Sequence, residues 1–255
     1  MKHWKENILA PLAFTAALIL LWELACVLFS LPATVLPTPS AVAKALVQYW
    51  PAIRDNSLQT LMTTLLGFGL AIVFGLVLGV AIGWSKLIYG ALYPVMIAFN
   101  AVPKVAVVPI LIIWFGIGTI PAIFTAFLIS FFPIVVNVAT GLATTEPELQ
   151  DVLRALGASK LDVVRKVGIP RSMPYFFGSL KVAITLAFVG SVVSETIGAN
   201  SGLGKMMLDA QAGFNVELVF AGVAALALLG IALYAITALV ERRFTGWAFR
   251  AEGIG

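Results

Sequence analysis

The sequence predicts an all-α polytopic membrane protein with six transmembrane helices, and three observations predict it. Hydrophobic residues make up 61% of the chain and charged residues 11%, with a mean hydropathy of +1.03. A soluble domain carries about a quarter of its residues as charges. The apolar residues gather in runs of about twenty or more, the length a helix needs to cross about 30 Å of hydrocarbon. Lys and Arg divide unevenly between alternate connecting segments, the bias that orients such helices. The net charge of +4 therefore reads as a property of loops and calls for no nucleic-acid partner. The single cysteine, Cys26, excludes an intramolecular disulfide framework.

Residues 1–58 read as an N-terminal membrane helix with an external lead-in. The first span, about residues 7–31, follows Lys2 and Lys5 but is too long for the apolar core of a signal peptide. Leu24-Ala25-Cys26 is close to a lipoprotein cleavage site, yet Glu23 stands where an aliphatic residue is needed, so an uncleaved span is expected. Glu23 itself is an intramembrane carboxylate, costly unless held, and reads as structural. Pro37-Thr38-Pro39-Ser40 caps a short amphipathic helix over about residues 41–49.

Residues 59–243 read as a core of five spans, and 244–255 as a cytoplasmic tail. The second span, 59–84, carries Gly67, Ala71, Gly75, Gly79 and Gly83, a small residue at every fourth position. Such a ridge admits another helix at close range, within the chain or across a dimer. The third apolar region, 87–115, is interrupted by Pro94, Asn100, Pro103, Lys104 and Pro109. Broken backbone at membrane depth survives only where it is buried in protein or lines an aqueous path. Asn100, Pro103 and Lys104 are therefore candidates for pathway lining, the rival being an interfacial bend with Lys104 snorkelling to headgroups. The fourth span, 122–142, holds Pro133, where a kink is expected, and Asn137, a further pathway candidate. The fifth, 175–197, ends near Glu195, which either lines a pathway or, as expected here, stays solvated at the end of the span. A small-residue loop over 198–217 and a sixth span at 218–240 complete the set.

With the N-terminus inside, Lys2, Lys5, Lys86, Arg154, Lys160, Arg165, Lys166, Arg171, Arg242, Arg243 and Arg250 fall on the cytoplasmic side. Lys44, Arg54 and Lys205 fall outside, which leaves Lys104 and Lys181 unassigned. Eleven against three is a strong inside-positive bias, which places both termini and the segment 144–174 in the cytoplasm.

That segment is the longest polar interval in the chain. Thr145, Pro147 and Glu148 form a helix start, and Leu149, Val152, Leu153 and Leu156 follow at i, i+3, i+4 and i+7. Gly157 stands where a C-cap glycine would. Ser159 and Asp162 make a second capping box opening a helix with Leu161, Val164 and Val167, which Ile169-Pro170 is expected to stop. Two short amphipathic helices meeting at a glycine look like a docking element, the rival being a solvated amphipathic loop on the membrane surface.

The spacing resembles the cytoplasmic loop of binding-protein-dependent permeases of ABC importers. That loop has a Glu-Ala-Ala triplet, a glycine four residues after it, and Ile-x-Leu-Pro about ten residues on. Here Asp151-Val152-Leu153 stands at the triplet, Gly157-Ala158-Ser159 at the glycine, and Val167-Gly168-Ile169-Pro170 at the terminal motif. Asp replaces Glu, and Val-Leu replaces Ala-Ala. The resemblance covers about residues 60–240. Pro103-Lys104-Val105-Ala106 and Trp114-Phe115-Gly116-Ile117-Gly118 are similar to the nitrate, sulfonate and taurine branch, which in turn resembles permeases for pyrimidine precursors. Glu195-Thr196-Ile197-Gly198 with Ser201-Gly202-Leu203-Gly204 also matches the family.

The resemblance implies a permease subunit of the type I importer kind in a prokaryotic inner membrane. It implies two ATPase subunits, an external solute-binding protein and a second permease copy, most simply an identical one. Asp151, Val152, Leu153, Arg154, Leu156, Gly157, Ala158, Ser159, Ile169 and Pro170 would then form the ATPase-coupling surface. No Gly-x-x-x-x-Gly-Lys-Ser/Thr phosphate loop occurs, His3 is the only histidine, and no serine elbow is present, so no catalytic residue, metal site or cofactor is expected. The alternatives are an ATP-independent secondary transporter or channel, which would more naturally show intramembrane charge pairs and inverted repeats, and a membrane scaffold.

Overall fold

The structure, a computed structural model, describes residues 2–143, 152 and 155–246. Its principal helices are α1 (Lys2–Leu28), α2 (Pro39–Gln48), α3 (Trp50–Gly83), α4 (Lys86–Ala101), α5 (Val108–Phe115), α6 (Thr119–Ala143), α7 (Ile169–Gly198), α8 (Leu203–Ala212) and α9 (Val216–Thr245). A 3₁₀ turn, Lys104–Val107, joins α4 to α5. A short helix, Lys160–Val163, and a π-helical turn, Val164–Gly168, lead into α7.

The bundle is built around α3, α6 and α7, because these three bury small residues against one another. A Cβ placed on Gly67, Gly75, Gly79 or Gly83 would stand 2.5–2.8 Å from Ala126, Ile134, Val138 or Leu142 respectively. Both sequences advance together, so α3 and α6 run parallel at a separation only glycine permits. The ridge foreseen on α3 is thus an intrachain seam. In the opposite sense, Gly190 of α7 meets Thr125 and Ala126, and Gly141 of α6 meets Ser172 and Tyr175. α9 runs antiparallel to α7, with Phe177 stacked on Phe244, Lys181 ion-paired to Glu241 at 2.6 Å, and Phe188 beside Gly230.

Parallel α3 and α6 require the chain between them to return across the membrane. It does so as a broken span: α4 and the 104–115 segment are bent by 72°. Tyr89 reaches Thr140 at 3.2 Å, Phe99 packs on Phe131 and Phe115 stacks on Phe124, so the pair descends the whole length of α6. Five long apolar helices and this bent pair make six crossings. One end of the bundle collects the C-termini of α3, α6 and α9 and the start of α7. The other collects the C-terminus of α1, the starts of α3, α6 and α9, and the whole of α2 and α8.

Three expectations require correction. The second crossing starts nine residues earlier than expected, at Trp50, because Pro51 serves as a first-turn residue. The segment 198–217 is not merely a loop. It contains α8, whose Leu203, Met206 and Ala210 are buried at i, i+3 and i+7. Ile169-Pro170 does not stop the helix that opens at Lys160. The Ile169 N–H bonds to the Val164 carbonyl, five residues back, and this π turn places Pro170 in the first turn of α7, where its missing donor costs nothing.

Candidate coupling loop and translocation pathway

The loop between α6 and α7 is built from local chemistry. The Leu156 N–H bonds to the Val152 carbonyl at 3.1 Å, one helical turn that ends at Gly157, whose φ is +84°. No atom of the described residues lies within 4 Å of a Cβ placed there, so the backbone conformation is what calls for glycine. Ser159 and Asp162 then cap each other. The Ser159 hydroxyl and N–H donate to Asp162 Oδ2 at 2.6 and 3.1 Å, and the Asp162 N–H donates to Ser159 Oγ at 3.2 Å. The side-chain and then the backbone hydrogen bond from Ser159 hold the Asp162 carboxyl below its ordinary range.

The apolar candidates in this loop face outward. Val152, Leu156, Leu161 and Ile169 are all exposed, Leu156 at 78%. The continuous helical path from Leu161 to Gly198 has 38 residues, about 57 Å at 1.5 Å per residue, so its first third projects beyond the hydrocarbon. An apolar patch on that projecting part has no lipid to cover it. Ala158 and Pro170 are half-buried and Ser159 is exposed. Asp151, Leu153 and Arg154, with the Thr145, Pro147 and Glu148 helix start, lie outside the described residues.

Of the pathway candidates, the structure brings Asn100 and Lys104 together at the break between α4 and α5. Lys104 Nζ donates to Asn100 Oδ1 at 2.7 Å and to the Asn100 carbonyl at 3.0 Å, and lies 5.9 Å from the Phe132 ring centre. Pro103 is exposed beside them. Phe132 sits at the centre of α6, so Lys104 is at mid-depth, roughly 15 Å from either headgroup layer. A lysine side chain is shorter than that distance, which counts against snorkelling. Asn137 is elsewhere on α6, its amide donating to the Pro133 carbonyl at 2.8 Å.

Glu195 is not solvated at the end of its span; it is 1% exposed. Thr60 Oγ1 and the Gly204 N–H approach its Oε2 at 2.9 and 3.0 Å, and Thr63 and Ser191 approach Oε1, each at 3.5 Å. Thr63 and Ser191 also share a short hydrogen bond. Thr60 Oγ1 accepts the Leu203 N–H at 2.9 Å, and Asn56 Oδ1 accepts the Gly202 N–H at 2.7 Å. A Cβ on Gly202 would collide with the carboxyl itself. The carboxyl therefore fastens the 199–204 turn to α3 and α7. Thr60, Thr63 and Ser191 escaped the sequence reading; the i, i+3 hydroxyls on α3 were the available signal.

Three more in-span charges are likewise held. Glu23 accepts the Ser40 N–H at 3.0 Å and the Ser40 hydroxyl at 2.7 Å, tying α1 to the N-terminus of α2. Lys181 and Glu241 pair across α7 and α9.

Six crossings around a glycine-packed core, a broken span at mid-depth and a projecting capped loop define a membrane transport subunit. The chain belongs to the family of binding-protein-dependent transport system inner membrane components, which it matches over residues 71–246; it is a permease of the ABC importer kind. It is 30% identical to ThiX, a formylaminopyrimidine transport permease protein of Halalkalibacterium halodurans, over 94% of this chain and 96% of the relative. It is also 30% identical to SsuC of Bacillus subtilis, named for aliphatic sulfonates transport, over 98% of this chain and 90% of the relative. Among solved structures it is similar in fold to the MetNI methionine ABC transporter in an inward-facing conformation. That likeness has a TM-score of 0.67 and 21% identity, covering 78% of this chain and 98% of the other.

Proposed function

We propose that this chain pairs with a second copy of itself to form the translocation path of an ATP-driven importer. It takes a small solute from an external binding protein: an inorganic or organic anion of the nitrate, sulfonate or taurine kind, or a pyrimidine precursor. Two ATPase subunits dock on the 146–170 loops, one per copy. Both termini and this loop face the cytoplasm, the end of the bundle that gathers Arg165, Lys166, Arg171, Arg242 and Arg243.

The observation that carries this reading is the loop itself. Apolar side chains at Val152, Leu156 and Leu161 are exposed around a left-handed glycine, uncovered by the described residues. Asp151 and Arg154 supply polar contacts, Leu153 and Leu156 pack into the ATPase, and Gly157 sets the angle between the two helices. Closure of the ATPases on ATP moves these helices, α7 and its neighbours follow, and the path reopens outward. Loading from outside favours ATPase closure in return.

The test is purification of the tagged chain from its own membranes in mild detergent, with mass spectrometry of what co-elutes. An ATPase subunit accompanies the wild-type chain and is lost with Gly157→Val, while the amount of inserted permease is unchanged. A chain that elutes without an ATPase in several detergents, or a variant that retains it fully, overturns the docking role.

A further inference from the structure

The in-span charges of this chain divide into those that are satisfied internally and one that is not. Glu23 is spent on Ser40, Lys181 and Glu241 neutralise each other, and Glu195 is closed inside a hydroxyl and amide cage. Lys104 has no carboxylate partner among the described residues. Its ammonium carries three donors; two contacts go back to Asn100, one turn earlier, and the Phe132 face covers one side. One donor direction and the whole positive charge remain uncompensated at the centre of the membrane.

A second copy of the chain does not supply the missing charge. The acidic residues of the sequence are Glu6, Glu23, Asp55, Glu146, Glu148, Asp151, Asp162, Glu195, Asp209, Glu217, Glu241 and Glu252. Those within spans are already held, and the rest lie in loops or at helix ends. Lipid does not supply it either, since phosphate headgroups are about 15 Å away. An unpaired ammonium in hydrocarbon either finds water or loses its proton, and Lys104, only partly buried, has the exposure to find water. The break that presents it, with Asn100, Pro103 and Lys104 exposed or half-exposed along a 72° bend, is the kind of irregular backbone tolerated only beside such a path.

We infer that Lys104, oriented by Asn100, is an anion-attracting station midway along the path, and that the solute carried by this permease bears an anionic oxygen group such as a carboxylate, sulfonate or phosphate. This rests on the importer reading above and narrows its solute class. The cation–π contact with Phe132 and the two bonds to Asn100 fix the ammonium in place without neutralising it, so a passing anion meets a charge already oriented. With two copies of the chain, two such cations flank the path.

Thiol labelling tests this without knowledge of the solute. Cys26 is the only cysteine, so Cys26→Ala gives a cysteine-free background in native membranes. Into it go Asn100→Cys or, as a second probe less dependent on the lysine's own anchor, Val105→Cys, exposed on the next turn. Each is reacted with a sulfonate-bearing and with a trimethylammonium-bearing methanethiosulfonate reagent, and the ratio of the two rates is divided by the ratio for a small free thiol. That ratio cancels any effect of Lys104 on the thiol's own ionisation. A unit charge acting through water at about 6 Å favours one reagent and disfavours the other, about tenfold in the ratio. The expected result is a ratio of about ten for the sulfonate reagent, retained with Lys104→Arg and falling to about one with Lys104→Gln. Reaction with both reagents and no response to Lys104→Gln at either position overturns the anion station and leaves the pathway placement standing. No reaction with either reagent at either position, with or without ATP, overturns the placement as well.

Discussion

Two regions of this molecule depend on glycine for opposite reasons. Along the α3–α6 seam, glycine is there because nothing else fits: Ile134 Cγ2 would stand 2.7 Å from a Cβ on Gly75, and Val138 Cβ 2.7 Å from one on Gly79. At the turn of the 152–170 loop, the space around Gly157 is open and only its φ of +84° calls for glycine. The seam spends glycine on close packing, which in a membrane supplies the stability that the hydrophobic effect does not. The loop spends it on an angle, and the apolar side chains set by that angle are left uncovered. The first use belongs to folding. The second, on the function proposed above, belongs to a partner.

Substitutions sharpen this contrast. Gly75→Val has the largest expected effect. It forces α3 from α6 across the middle of the core, costing about 3 kcal/mol, and appears as a lower thermal unfolding midpoint and aggregation in detergent. Gly75→Ala combined with Ile134→Ala recovers part of that loss, since both changes act on one contact. Glu195→Ala comes next. It strands the Gly204 N–H and frees the 199–204 turn, at about 2 kcal/mol, whereas Glu195→Gln keeps an acceptor for that N–H and costs less. Gly157→Val follows in stability terms, at about 1 kcal/mol of backbone strain. Its signature is different: the unfolding midpoint hardly moves, while solute-stimulated ATP hydrolysis by the assembled importer is lost. Gly157→Asn separates the two components of that role, because asparagine tolerates the left-handed region. If the turn's angle is what matters, Asn restores hydrolysis; if the partner's surface excludes any side chain, it does not.

What was legible in the sequence follows the same division. The loop's devices act over three or four residues, so Gly157 and the Ser159–Asp162 box could be read from spacing alone. The α3 ridge was visible as a repeat of small residues, but its partner was not. The facing residues on α6, Ala126, Ile134, Val138 and Leu142, have no small-residue pattern to announce them. Glu195 was misjudged for the same reason: Thr60 and Thr63 lie 135 and 132 residues away, and no local rule joins them. α8 was overlooked because glycines bracket it and its apolar positions are few. The stop expected at Ile169-Pro170 failed because proline was weighed against an α-helical ladder, and the chain meets it with a π turn whose bonds reach one residue further. The broken third crossing was legible as a break but not as a 72° bend, since proline positions mark where a helix yields and not the direction it takes.

The smallest effect is expected at Ser159, and it asks how rigid the loop must be. Ser159→Ala removes the acceptor of the Asp162 N–H and the donor to Asp162 Oδ2, worth about 1 kcal/mol of local helix stability. The Ser159 N–H still reaches Asp162, and the helix beyond is continuous with α7, so the global midpoint should not move. Only the first turn, Lys160–Val163, frays more often. If the ATPase reads a preformed surface, that fraying lowers the apparent affinity of the permease for its ATPase several-fold, with the maximal rate of hydrolysis unchanged. Ser159→Thr, which keeps the cap, restores the affinity. An unchanged affinity in Ser159→Ala would show that the partner itself orders this turn on binding, and the contrast with the seam would then lie in the 152–157 glycine turn alone.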